Sequence, residues 1–360
     1  MSIFYNEKLN TAIKLLCMAM AVGLLIIAKV VYEADMLSLA IYVGFAIFYV
    51  QLPGLFLLRL FRLNFNRLCT RLCAGFFTGW AAVVLQYFIC EGIHSNLILY
   101  ALGPIGSIAY IVMPVLRRAK ARDGQATAEL KGSCCPAKGL KNLSTAFCIF
   151  TLLVFAYAML STQLQYINPA YCATTYMNPD KAYHMGLIDS LSHGWPLESP
   201  WVKGRVIKYH IFTELLMAVP VRLFAVPSDV AIFSFNPLMT TYVLCISTYT
   251  MFREFTRKSN RAGLYCLSII LANMFLVRTP HTSMAFHFVI INDNAVGYGV
   301  SCFMFALVLF KLWYDKVVEN SAKARSNMGY LLLLVAMVML MTGIKGPIGI
   351  VFVGAIWGTG

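Results

Sequence analysis

Apolar runs of bilayer-spanning length recur along almost the whole chain, and they decide what it can fold into. A helix needs about 20 predominantly apolar residues to cross the hydrocarbon core of a bilayer. Runs near Thr11–Tyr32, Leu37–Leu60, Cys73–Cys90, Asn96–Leu116 and Leu143–Thr162 come close to or exceed that length. Further spans are predicted at Asp229–Phe252, Gly263–Val277, Val296–Tyr314 and Tyr330–Thr342, with a shorter apolar run from Gly346 to Gly360. Within lipid the backbone must satisfy its own hydrogen bonds, and such runs do so as helices. The expected fold is therefore all-α and polytopic, with about nine to ten transmembrane helices. The final run is short for a span, so the chain is expected to be a fragment or the product of a truncated gene.

Only 12% of the residues are charged, against about 25% in soluble domains. The formal charge of +14 does not point to nucleic acid, because the basic residues sit in short loops between apolar runs, where they set membrane orientation. Arg59, Arg62, Arg67 and Arg71 mark one cytoplasmic loop, and Arg117, Arg118, Lys120, Arg122, Lys131, Lys138 and Lys141 a second. The N-terminus is then cytoplasmic, and the loop 163–209 is external. Most of the 11 cysteines lie within apolar runs, where a thiol behaves as a small apolar group. Neither a disulfide framework nor a zinc site is indicated.

His210–Val226 is apolar but conflicts with this charge pattern if it spans. Arg253, Arg257, Lys258 and Arg261 would emerge outside, followed by Lys311, Lys316, Lys323 and Arg325. An in-plane or re-entrant helix returns both clusters to the cytoplasm and places Pro220 and Arg222 at the interface. Three regions follow: a four-helix N-terminal membrane module at 1–116, a basic cytoplasmic linker at 117–142, and a membrane core at 143–360.

Asn178–Glu214 is a polar island in this apolar chain. Asn178 as N-cap, Pro179 at the first helical position and Gly194 at the end predict a helix. Asp180 falls in its first turn, where the helix dipole favours a carboxylate. His184 is four residues on and shares its face, whereas Asp189 points away. A carboxylate and an imidazole so placed can act as base and orienter or share a metal; equally, they fit a dipole-complementing Asp and an interfacial His. Trp195, Trp201, Lys203, Arg205, Lys208 and Tyr209 follow as an aromatic, basic turn, suited to a lipid-linked phosphate or to headgroups in general. His210 and Glu214 form a second pair at i,i+4, and a Glu in an apolar helix demands a partner, for which His210 or Lys208 is at hand. His281, His287 and Asp293 lie in a second external loop, and Lys345 in a Gly-Pro turn, where it can snorkel or hold a phosphate. No nucleotide-binding loop, HExxH helix or GxSxG elbow is present.

The run DKAYHMGLIDSLSHGWPLESPWVKGRVIKYH, followed by an apolar helix and a span ending in basic residues, resembles polytopic membrane glycosyltransferases of the GT-C class over about residues 143–360. The resemblance implies transfer of a hexosyl or pentosyl group from a polyprenyl-phosphate carrier to a glycan, lipid or protein acceptor. The reaction would take place at the outer face of the cytoplasmic membrane, in cell-envelope synthesis. Asp180 matches the acidic residue that serves such enzymes as base or metal ligand, with His184 orienting it. Arg205, Lys208, Tyr209, His210 or Lys345 would meet the phosphate, with membrane lipids as the other partners. A divalent cation, Mg or Mn, would be held by Asp180 if one is used; the Asp-Glu doublet of some members is absent here. A transporter or flippase of a lipid-linked or anionic substrate is the competing expectation, as is an inactive fragment of a larger enzyme.

Overall fold

The computed structural model describes residues 7–32, 35–123, 144–166, 179–202, 204–207, 209–276, 295–319 and 324–357. Among them the secondary structure is helical, with no strand and one isolated bridge between Glu198 and Val206. The helices are α1 (Glu7–Tyr32), α2 (Met36–Leu60), α3 (Leu68–Ile93), α4 (Leu97–Asp123), α5 (Thr145–Tyr166) and α6 (Pro179–His193). They continue as α7 (Phe212–Phe224), α8 (Ser228–Thr256), α9 (Ser259–Leu276), α10 (Val296–Glu319), α11 (Ala324–Ile344) and α12 (Gly346–Trp357). Five of them (α1, α2, α3, α8 and α10) contain stretches long and apolar enough to cross a membrane, and α4, α5, α11 and α12 carry shorter apolar stretches. The protein is an all-α polytopic membrane protein. The outward side chains agree: Leu15, Leu16, Met18, Ile26 and Val30 of α1 are exposed, a surface that lipid tolerates and water does not.

The chain forms two compact units, residues 1–43 with 144–360, and residues 44–143. This grouping differs from a division at 116, because α1 packs on α5 and so belongs with the larger unit. In the smaller unit, glycines bring helices together. A Cβ on Gly54 would strike the Gly75 carbonyl oxygen, and one on Gly79 the Val50 carbonyl oxygen, so the α2 and α3 backbones touch directly, as small residues permit within membranes. Gly103 faces Tyr49 and Gly106 faces Pro53 across α2 and α4. Ser107 Oγ donates to the Phe48 carbonyl at 2.5 Å, and the Arg59 guanidinium lies 3.9 Å over the Tyr110 ring.

The larger unit is built around α8, which packs against α5, α9 and α10. Two of its buried hydroxyls are satisfied within the helix: Thr241 donates to the Pro237 carbonyl and Thr248 to that of Leu244, both at 2.7 Å. Both bonds spare the bilayer an unpaired polar group. At its start, Tyr42 stacks on Phe235 at 4.8 Å and donates to the Pro227 carbonyl at 3.2 Å. α10 in turn carries α11, and α11 carries α12.

The helix α7 has 13 residues, about 20 Å at 1.5 Å per residue, which is short for a span. Thr213 through Pro220 are all buried. Other helices cover this stretch, with α6 on one side and α11 on another. Pro220 is therefore interior, while Arg222 is half-buried.

Candidate functional site

The helix α6 starts at Pro179 and stops where Gly194 takes φ 139°, a conformation that suits glycine. Lys181, His184, Leu187, Ile188 and Leu191 are buried, whereas Asp189 and His193 are exposed. The buried positions recur at three- and four-residue steps, as one helix face must. Its polar members are Lys181 and His184. Asp180 occupies the first turn, with its side chain outside the described residues, as are Asn178, Lys203, Lys208, His281, His287 and Asp293.

His184 does not meet solvent. It is 1% exposed, and its Nδ1 lies 2.6 Å from Oε1 of Glu214, itself 0% exposed. The atoms are within ion-pair distance, although the angle is not that of a good hydrogen bond. Glu214 stands in the first turn of α7. The second oxygen, Oε2, has no hydrogen-bond partner among the described residues. A buried acceptor of this kind is costly unless something donates to it.

The expected i,i+4 pair of His210 with Glu214 is replaced by this contact. The reason is local: α7 begins at Phe212, so His210 is not on the helix at all. His210 instead stacks on Tyr209 at 3.9 Å, and Tyr209 reaches Tyr183 at 6.0 Å and His184 at 6.1 Å between ring centres. These rings form one wall beside the carboxylate–imidazole pair.

Other polar groups converge from the bundle. Tyr298, near the start of α10, is fully buried beside Thr240 and within electrostatic reach of Glu214. Thr240 is also buried and donates to Asn236 Oδ1 at 3.4 Å. Phe212 at the start of α7 packs on Gly343, and Gly299 on α10 faces Lys345, which is half-buried at the junction of α11 and α12. The structure thus brings Lys345 to the end of α11 that meets α7. Arg205, by contrast, is exposed in the segment between α6 and α7.

Lys181 is the unexpected member. It is 2% exposed, with Nζ 5.2 Å from the centre of the Phe233 ring. Burial pushes its pKa down to about 8. An unfolded lysine, at its ordinary value near 10.4, binds more protons than the folded one between about pH 8 and 10. The burden is therefore full below pH 8 and is relieved as pH rises through that window. Lys181→Met removes the titrating group, so the rise of wild-type stability between about pH 8 and 10 is expected to be absent from the variant's melting profile; the same pH dependence in both proteins would contradict this.

Chemically, the arrangement can hold an imidazole in one orientation. With the proton on Nδ1 facing Glu214, Nε2 is the basic nitrogen; with both protonated, the carboxylate stabilises the imidazolium. Among the described residues no group of three or more His, Cys, Asp or Glu side chains could hold a metal ion. Sequence reasoning missed Lys181, Asn236, Thr240 and Tyr298; the α6 periodicity alone would have put Lys181 inside. Comparison with protein-family models, curated proteins and solved structures finds no match to the chain.

Proposed function

We propose that the protein is a membrane glycosyltransferase that moves a sugar from a polyprenyl-phosphate carrier to an acceptor at the outer face of the cytoplasmic membrane. The observation that carries this is the buried His184–Glu214 pair. It joins the helix that bears Asp180 to the apolar helix that follows the Tyr209-His210 turn. The stretch from α6 to α7 thus encloses a carboxylate beside an imidazole, which supports this reading. In the proposed step Asp180 takes the proton of the acceptor hydroxyl as that oxygen attacks the anomeric carbon. The bond from that carbon to the phosphate oxygen breaks, and the polyprenyl phosphate leaves with the electron pair. Lys345 or Arg205 neutralises the departing phosphate, and the proton passes from Asp180 to solvent. His184, held by Glu214, orients the acceptor or Asp180.

One observation favours a transporter instead: Glu214, Thr240 and Tyr298 are enclosed by helices, as substrate sites of transporters are. Proteoliposomes holding the full chain separate the two readings. A glycosyltransferase releases polyprenyl phosphate from a polyprenyl-phosphate sugar only when acceptor is present. Movement of the lipid-linked sugar between leaflets without acceptor, and without cleavage, would establish the transporter.

A further inference from the structure

The segment between α6 and α7 folds back on itself as a small hairpin. Ser199 N donates to the Arg205 carbonyl at 2.8 Å and Ile207 N to that of Leu197 at 3.0 Å. Gly204 N donates to Glu198 Oε2 at 3.2 Å, and Ser199 Oγ accepts from the backbone of Trp201 and Val202. The hairpin is fastened to α6 at three points. Pro200 packs on Gly186, Ser190 Oγ donates to the Glu198 carbonyl at 3.3 Å, and Trp201 lies 4.9 Å from Tyr183 between ring centres.

This fastened hairpin presents apolar side chains outward. Trp201 is 69% exposed, and Trp195, Val202 and Val206 are exposed as well. Water is a poor surrounding for such a cluster. The hydrocarbon core is excluded too, because exposed non-helical backbone leaves groups there without hydrogen bonds. The headgroup layer satisfies both demands, with indole rings at the boundary between apolar and wet. Charge argues for the same place: Arg205 is exposed beside these side chains, and Lys203 and Lys208 flank it in the sequence. A sugar would use the Trp201 ring but gain little from Val202 and Val206, whereas a lipid surface uses all of them.

We propose that the 197–207 hairpin is an interfacial anchor that seats Trp201 and Val202 in the headgroup layer of an anionic bilayer. Because the hairpin is clamped to α6, it sets the depth of His184 relative to the membrane surface. This holds whether or not the site transfers sugar.

The test uses the full chain in nanodiscs and the fluorescence difference between wild type and Trp201→Phe, which isolates Trp201 from the other tryptophans. Lipids brominated near the headgroup end of the acyl chains are expected to weaken that difference signal by at least about twofold. The loss should be greater with anionic than with zwitterionic lipid, and Arg205→Glu should reduce that lipid dependence. Matching gel-filtration and melting behaviour of the variants shows that they are folded. An unchanged difference signal in bromolipid, with full access to acrylamide, overturns the anchor. So does bromolipid-insensitive emission that added oligosaccharide protects from acrylamide, which would make the hairpin a glycan surface.

Discussion

Glu214→Ala is expected to destabilise the protein by about 3–5 kcal/mol, the usual cost of removing one partner from a buried charged pair. The carboxylate is fully enclosed and 2.6 Å from His184, so its loss leaves the imidazole buried without its counter-charge and a void in the first turn of α7. His184→Ala should cost a similar amount, because the glutamate then stays in an apolar helix with no histidine beside it. The decisive quantity is the coupling. If the two act as one unit, the double variant costs less than the sum of the singles, by about 0.5–3 kcal/mol. Thermal unfolding of the four proteins in one detergent measures it, and additivity would mean that the contact carries no energy of its own. Glu214→Gln sharpens the result: it keeps the volume and a hydrogen-bonding oxygen but removes the charge, so the stability it fails to recover belongs to the charge.

The helical, membrane-spanning character was legible because bilayer thickness imposes a length that composition either meets or does not. The α6 helix was equally plain, since Pro179 and Gly194 mark both ends by backbone chemistry that needs no tertiary context. The partner of Glu214 was not legible. Its sequence neighbours His210 and Lys208 fit a helical spacing, but that spacing applies only inside the helix, and the helix starts at Phe212. Which imidazole meets the carboxylate is decided by how α6 packs on α7, across thirty residues of chain that carry no local signal of it. Tyr298 and Thr240 escaped notice for the same reason: inside an apolar run, a phenol or a hydroxyl looks like a tolerated exception until another helix brings a carboxylate to it. Lys181 differs. Its register with His184, Ile188 and Leu191 was visible, and reading it would have placed a cation inside.

Asp180→Asn is expected to lower sugar transfer by about 10²–10⁴-fold, the span that a positioned general base contributes. Melting should be unaffected, since Asp180 is in the first turn of α6 and Asn is tolerated at a helix start. His184→Gln should also reduce transfer, but with a loss of stability, because it removes the partner of Glu214. Their pH profiles separate the roles. If Asp180 is the base, transfer by His184→Gln still falls as the carboxylate protonates in acid, whereas that limb is absent in Asp180→Asn. If His184 is the base, His184→Gln alone abolishes the acid limb of the profile, and Asp180→Asn keeps it. An Asp180→Asn protein that transfers sugar at the wild-type rate would remove the carboxylate from the mechanism and leave the pair of His184 and Glu214 as the acid–base centre.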